Sequence, residues 1–135
     1  MAAQYTSKHG IVGRPQPELF MAFTDMRNFT RMVPQDQQVS LEADFDTLTA
    51  TAQGMSFSAK IVERVPYTLI ALEDNGAPFH FSVKIHFDEA GAGKTDFWVE
   101  VDAELNGILK MMLGSKIQEA LDKMVDGMVG ATAQV

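Results

Sequence analysis

Four side chains in this chain are placed by type and pattern to do acid–base chemistry: Tyr5, His9, Glu63 and Tyr67. A titratable group held among apolar walls has its proton affinity shifted toward catalytic use. Tyr5, Ser7, His9 and Ile11 fall on one face of an extended segment, and that face points either into a concave interior or out to water. A buried, hydrogen-bonded His9 is the structural reading beside the catalytic one. No nucleophile flanks His9, and a Ser-x-His spacing is not that of a nucleophilic triad. Glu63 continues the parity of Phe57, Ala59 and Ile61, which predicts an inward carboxylate near a strand end. The alternative is a strand-end carboxylate reaching water. These four form no tight group by sequence, so none is assigned as catalytic; they are possible polar residues of an interior site.

Metal and phosphate chemistry find less support. His80 and His86 alternate with apolar residues on one strand, which sets them roughly 20 Å apart, too far to share an ion. Lys84 between them disfavours a cation further. There is no cysteine, so neither a disulfide framework nor a thiolate zinc site is available. Gly91-Ala92-Gly93-Lys94-Thr95 looks like the end of a phosphate-binding loop. The full pattern requires a first glycine where Asp88 stands, and a helix where Thr95 opens an alternating strand. A hairpin turn is the reading adopted. The formal net charge of −7, with eleven scattered basic residues, argues against nucleic acid and against an anionic membrane surface.

The elements that must position these groups follow from periodicity. The 135 residues suit a single domain over 1–135, able to bury about two-thirds of its unfolded surface. Gln4 to Val12 reads as a first strand. After Pro15 and Pro17, Glu18–Thr24 and Met26–Met32 read as two short helices, with Asp25 capping between them and Pro34 ending the second. From Gln38 to Glu104 the chain is strand-like. Segments near 39–43, 47–53, 57–62, 67–73, 79–87 and 95–104 alternate apolar and polar residues, separated by turns such as Asp74-Asn75-Gly76. A period of two with one polar face predicts an antiparallel sheet wet on one side. In the last strand Asp96, Trp98, Glu100 and Asp102 form the wet row, where Trp98 either packs across strands or marks a contact surface.

The apolar face needs a cover, and Gly107 to Val129 supplies it. Residues 109, 112, 113, 117, 120, 121, 124 and 128 form one apolar stripe of a long helix, read first as core. It is rich in methionine, an adaptable side chain. Ile108 to Leu113 is apolar nearly all round, between Gly107 and Gly114. Such a segment asks for cover on more than one side, which predicts the mouth of a cavity. The N-terminus carries no signal-peptide pattern and no window approaches ~20 apolar residues, so a cytoplasmic protein without a membrane span is expected.

The order strand, two helices, six strands, long helix resembles the START-like (SRPBCC) superfamily, with its Bet v 1-like or helix-grip fold. The likeness is strongest to the bacterial polyketide cyclase and coenzyme-Q-binding-like branch. Its carriers are Phe23-Thr24-Asp25-Met26-Arg27-Asn28-Phe29, Gly54-Met55, Ile61-Val62-Glu63-Arg64-Val65-Pro66 and Ala103-Glu104-Leu105-Asn106. The resemblance covers nearly the whole chain. It implies an α+β, β-αα-β6-α architecture, with a curved antiparallel sheet wrapped around the last helix and an internal cavity for an apolar ligand. Parity and the resemblance together give the expected cavity wall. From the short helices and sheet it takes Phe20, Phe23, Phe57, Ile61, Phe81, Val83, Ile85, Phe97, Val99 and Val101; from the last helix, Leu109, Met112, Met124 and Met128. The family includes lipid carriers, ligand sensors, chaperone co-factors and a few cyclases, so the fold does not choose among them. The favoured expectation is binding or transport of a small hydrophobic molecule such as a lipid, polyketide or isoprenoid, by a monomer or homodimer without a cofactor. A cyclase or dehydratase using the polar candidates is the first alternative. A protein-interaction module built on Trp98 or on Ile108–Leu113 is the second.

Overall fold

The computed structural model describes residues 2–28, 39–52, 54–76 and 79–132, with backbone alone at 2, 3, 39, 52, 55, 109, 113, 131 and 132. One antiparallel sheet dominates. Its strands are β1 (Ala2–Thr6), β2 (Gly10–Val12), β3 (Val39–Ala43), β4 (Thr47–Ala52), β5 (Met55–Val65), β6 (Leu69–Asp74), β7 (Phe81–Glu89) and β8 (Thr95–Glu104). They are ordered β1-β8-β7-β6-β5-β4-β3, with β2 also on β8. Helix α1 (Gln16–Phe23) precedes β3, and helix α2 (Gly107–Thr132) follows β8. Residues 26–28 begin another helical turn, and the rest of the expected Met26–Met32 helix lies outside the described residues. No helix among the described residues is long and apolar enough to cross a membrane.

The expected first strand is two strands. Thr6 stands opposite Glu100 and Gly10 opposite Phe97, so three residues of one strand face two of the other. The jog is held by Ser7, whose N–H donates to the Val99 carbonyl and whose Oγ accepts the Val99 N–H, each at 2.9 Å. A one-residue insertion turns every later side chain to the opposite face. Tyr5 therefore packs inward, Gly10 and Val12 follow it inward, and His9 and Ile11 face out. A second irregularity sits in β5. Ile61 pairs with Leu72 but Glu63 with Ala71, which leaves Val62 as the extra residue. Beyond it Arg64, opposite Ile70, takes the inward row that Glu63 was expected to take.

Helix α2 runs along the β1, β2 and β8 end of the sheet. A Cβ on Gly10 would lie 2.5 Å from Val125 Cγ1 and 2.6 Å from Val129 Cγ2, so only glycine admits the helix this close. The β1–β2 corner grips α2 by polar contacts as well. The Lys8 N–H donates to Asp122 at 2.8 Å, the Lys8 ammonium pairs with Asp126, and Gln118 Nε2 donates to the Thr6 carbonyl at 2.9 Å.

Helix α1 plugs the sheet at the β6–β7 side. Leu19, Phe20 and Phe23 point inward from one face of α1, and Phe23 stacks on Phe97 with centroids 5.8 Å apart. Asp25 caps the next turn by accepting the Arg27 N–H at 3.0 Å, as expected. Arg64 ties α1 down: its Nε donates to Thr24 Oγ1 at 2.7 Å and its guanidinium pairs with Asp46.

Candidate functional site

The space between sheet and helix has two unlike ends. Around α1 and the second half of α2 the interior is filled. Val12, Phe23, Met26, Phe87, Phe97, Val99 and Met128 are sealed from solvent, with Leu19, Ile70, Ile85, Leu121 and Val125 nearly so. Four phenylalanines, 20, 23, 87 and 97, interlock there with centroids 5.8–6.4 Å apart. At the other end the same strands present inward residues that stay partly wet: Tyr5, Leu48, Ile61, Phe81, Val83 and Val101, with Ile117 and Met124 from α2. A smaller cluster, Ala103 with Leu105, closes the floor beneath Tyr5, Phe79, Phe81, Val101 and Ile117. Phe79 bridges Phe57 and Phe81, at 5.5 and 5.9 Å between centroids. This half-covered aromatic wall is the candidate site.

Of the expected cavity wall, Phe57, Ile61, Phe81, Val83, Val101 and Met124 line this open end. Phe20, Phe23, Ile85, Phe97, Val99 and Met128 belong instead to the filled end, where α1 is pressed onto β6 and β7 and Phe23 reaches Phe97 of β8. Met112 lies outside the core: it is 51% exposed, beside Ile108 at 71% and Met111 at 86%. The helix stripe is continuous in sequence, but among the described residues it joins the core only from Ile117 onward. Ala120 in the stripe is exposed too, and the side chain of Leu109 lies outside the described residues. Phe79 and Ile117 join the wall unforeseen, although strand parity marked the first and the helix stripe the second.

The polar candidates disperse. His9 lies on the outer face. Its Nδ1 is 3.1 Å from an Asp96 carboxylate oxygen and its ring stacks on Trp98 at 4.4 Å. His86 stacks on the opposite face of the same indole, also at 4.4 Å, and its Nε2 is 2.9 Å from Glu100 Oε2. Trp98 is thus packed across strands between two imidazoles. Glu63 is exposed, turned out by the bulge before it. Tyr67 sits at a turn between β5 and β6 with φ 68°, half exposed, its ring edge-on to Phe20 at 5.8 Å. Tyr5 alone of the four reaches the interior. Among the described residues the structure has two shallow polar clefts. One of about 130 Å³ is lined by Gln4, Thr6, Ser82, Lys84, Glu100 and Asp102, together with Tyr5 and Val101 of the wall itself. The other, about 270 Å³, lies at the β3–β4 hairpin.

No protein-family model matches the chain, and no curated protein matches it. Solved structures do. The Zhui aromatase/cyclase from Streptomyces sp. R1128 superposes with a TM-score of 0.74 at 12% identity, over 99% of this chain and 95% of that one. Norcoclaurine synthase from Thalictrum flavum gives 0.72 at 10% identity, over 100% and 88%. A protein from Thermobifida fusca gives 0.72 at 10% identity, over 97% and 93%. At such identities the likeness speaks for the fold: this chain has the Bet v 1-like helix-grip fold, a curved antiparallel sheet with a C-terminal helix.

Proposed function

We propose that this protein binds a small hydrophobic molecule between the open end of the sheet and the first half of α2. The observation that carries the reading is the gradient along β7 and β8. Phe87, Ile85, Phe97 and Val99 are sealed, whereas Phe81, Val83 and Val101 on the same inward rows remain partly wet. Removing an apolar side chain of this size from water is worth about 1.5–3 kcal/mol. A wall of aromatics left partly hydrated is therefore a surface that an apolar guest stabilises by covering it. Norcoclaurine synthase, with the same fold, has been seen in complex with dopamine and hydroxybenzaldehyde, so the fold can hold compact aromatic molecules. Binding is favoured over acid–base catalysis because, of the four titratable candidates, only Tyr5 faces this end.

Native mass spectrometry on protein purified from its own host tests the reading. A co-purifying apolar molecule is expected, lost on Phe79→Ala or Phe81→Ala substitution while the fold persists. Protein that carries nothing, and gives naphthalene-type probes no saturable site, would sink it.

A further inference from the structure

The hydroxyl of Tyr5 is buried and has no hydrogen-bond partner among the described residues. Nearly all buried hydroxyls are satisfied, because losing water without a replacement partner is unfavourable. Phenylalanine would supply the same ring at this position without that penalty. The phenol also meets the helix at a special place. A Cβ on Gly114 would lie 2.9 Å from the Tyr5 hydroxyl, so the helix residue facing it is one with no side chain. Gly114 is itself buried, whereas Ile108, Met111 and Met112 just before it are exposed. The hydroxyl thus stands where the seated part of α2 gives way to its uncovered start. Like Phe81, Val101 and Ile117 of the open wall, Tyr5 packs on the Ala103–Leu105 cluster.

We infer that Tyr5 is the polar anchor of the site and that the ligand is a neutral amphiphile, an apolar body carrying one carbonyl or hydroxyl oxygen that accepts the phenol's hydrogen bond. This rests on the binding reading above. The ligand is neutral because the basic side chains near this end are turned elsewhere. Lys84 lies on the outer face opposite Glu100, Lys110 and Lys116 are exposed, and Arg64 is committed to Thr24 and Asp46. A carboxylate or phosphate would enter without a counter-charge from the described residues, at a desolvation penalty that the aromatic wall does not offset.

Two probes of one shape separate the outcomes: 1-acetylnaphthalene, which offers a carbonyl, and 1-ethylnaphthalene, which does not. Titration into the wild-type protein is expected to show the ketone binding about ten-fold tighter. Tyr5→Phe is expected to abolish that preference and leave the ethyl compound's affinity unchanged. Its thermal midpoint should not fall, since the substitution removes an unpartnered buried hydroxyl. Gly114→Ala, which places a methyl against the hydroxyl, should also erode the preference with Tyr5 present. Equal binding of the two probes by wild type overturns the inference and leaves the hydrophobic site standing, as does a preference that survives Tyr5→Phe. Failure of both probes to bind overturns the inference together with the reading beneath it.

Discussion

The two ends of the interior are made from the same strands and differ only in what lies over them. On β8 the inward residues Phe97 and Val99 are sealed, while Val101, two positions on, is partly open. On β7 the series Phe87, Ile85, Val83, Phe81 loosens in the same direction along the sheet. The strands run antiparallel, so the gradient belongs to the cover and not to strand ends fraying. At the sealed end α1 contributes Leu19, Phe20 and Phe23, and α2 contributes Leu121, Val125 and Met128. At the open end the described residues of α2 contribute Ile117 and Met124 alone. Stability is therefore concentrated where two helices meet the sheet, which leaves the other end free to gain from a guest.

The widest test of this contrast is a pair of truncations. Phe97→Ala at the sealed end is expected to cost about 3–5 kcal/mol in urea denaturation, as for other buried aromatics. Phe81→Ala should cost less than half as much in the ligand-free protein. Equal losses would show that the open end is packed as tightly as the other, and the contrast would collapse. Next in size is Gly10→Ala. The added methyl meets Val125 and Val129 well inside contact distance and forces α2 off the β1–β2 corner, an overpacking penalty of about 1–3 kcal/mol. A neutral result would mean that the helix seat is slack. Smaller is the expected difference within α2. Amides 108–114 should exchange hydrogen about ten-fold or more faster than amides 117–128, a local opening easier by roughly 1.4 kcal/mol. Uniform protection along the helix would remove the idea that its first turns yield to a ligand.

Much of this was legible in the sequence, and what was missed has specific causes. Strict alternation in 79–87 and 95–104 fixes which residues of β7 and β8 point inward, and the structure places them so. Alternation fails where a strand gains one residue. Ser7 is small and polar enough to fit either face, and Val62 is apolar beside apolar Ile61, so neither insertion leaves a mark in the pattern. Each inverted the aim of the titratable residue that followed, sending His9 and Glu63 outward. Tyr67, expected within a strand, instead takes a left-handed conformation in the Pro66-Tyr67-Thr68 turn. The α2 stripe was readable as a face, but a stripe does not say how far its partner extends, which is why Met112 was placed inside. The open end was legible only as a hint, in the all-round apolar character of Ile108 to Leu113.

The sandwich on the outer face has an optical consequence. Trp98 is the one tryptophan of the chain, so its emission needs no label and no deconvolution. One of the two rings that clasp it belongs to His9, next to Lys8, whose backbone and ammonium both hold α2. An indole's emission depends on what stacks against it, so the light from Trp98 should change when the corner lifts and His9 leaves its face. The back of the sheet is then a lamp that reports on the seating of the helix in front.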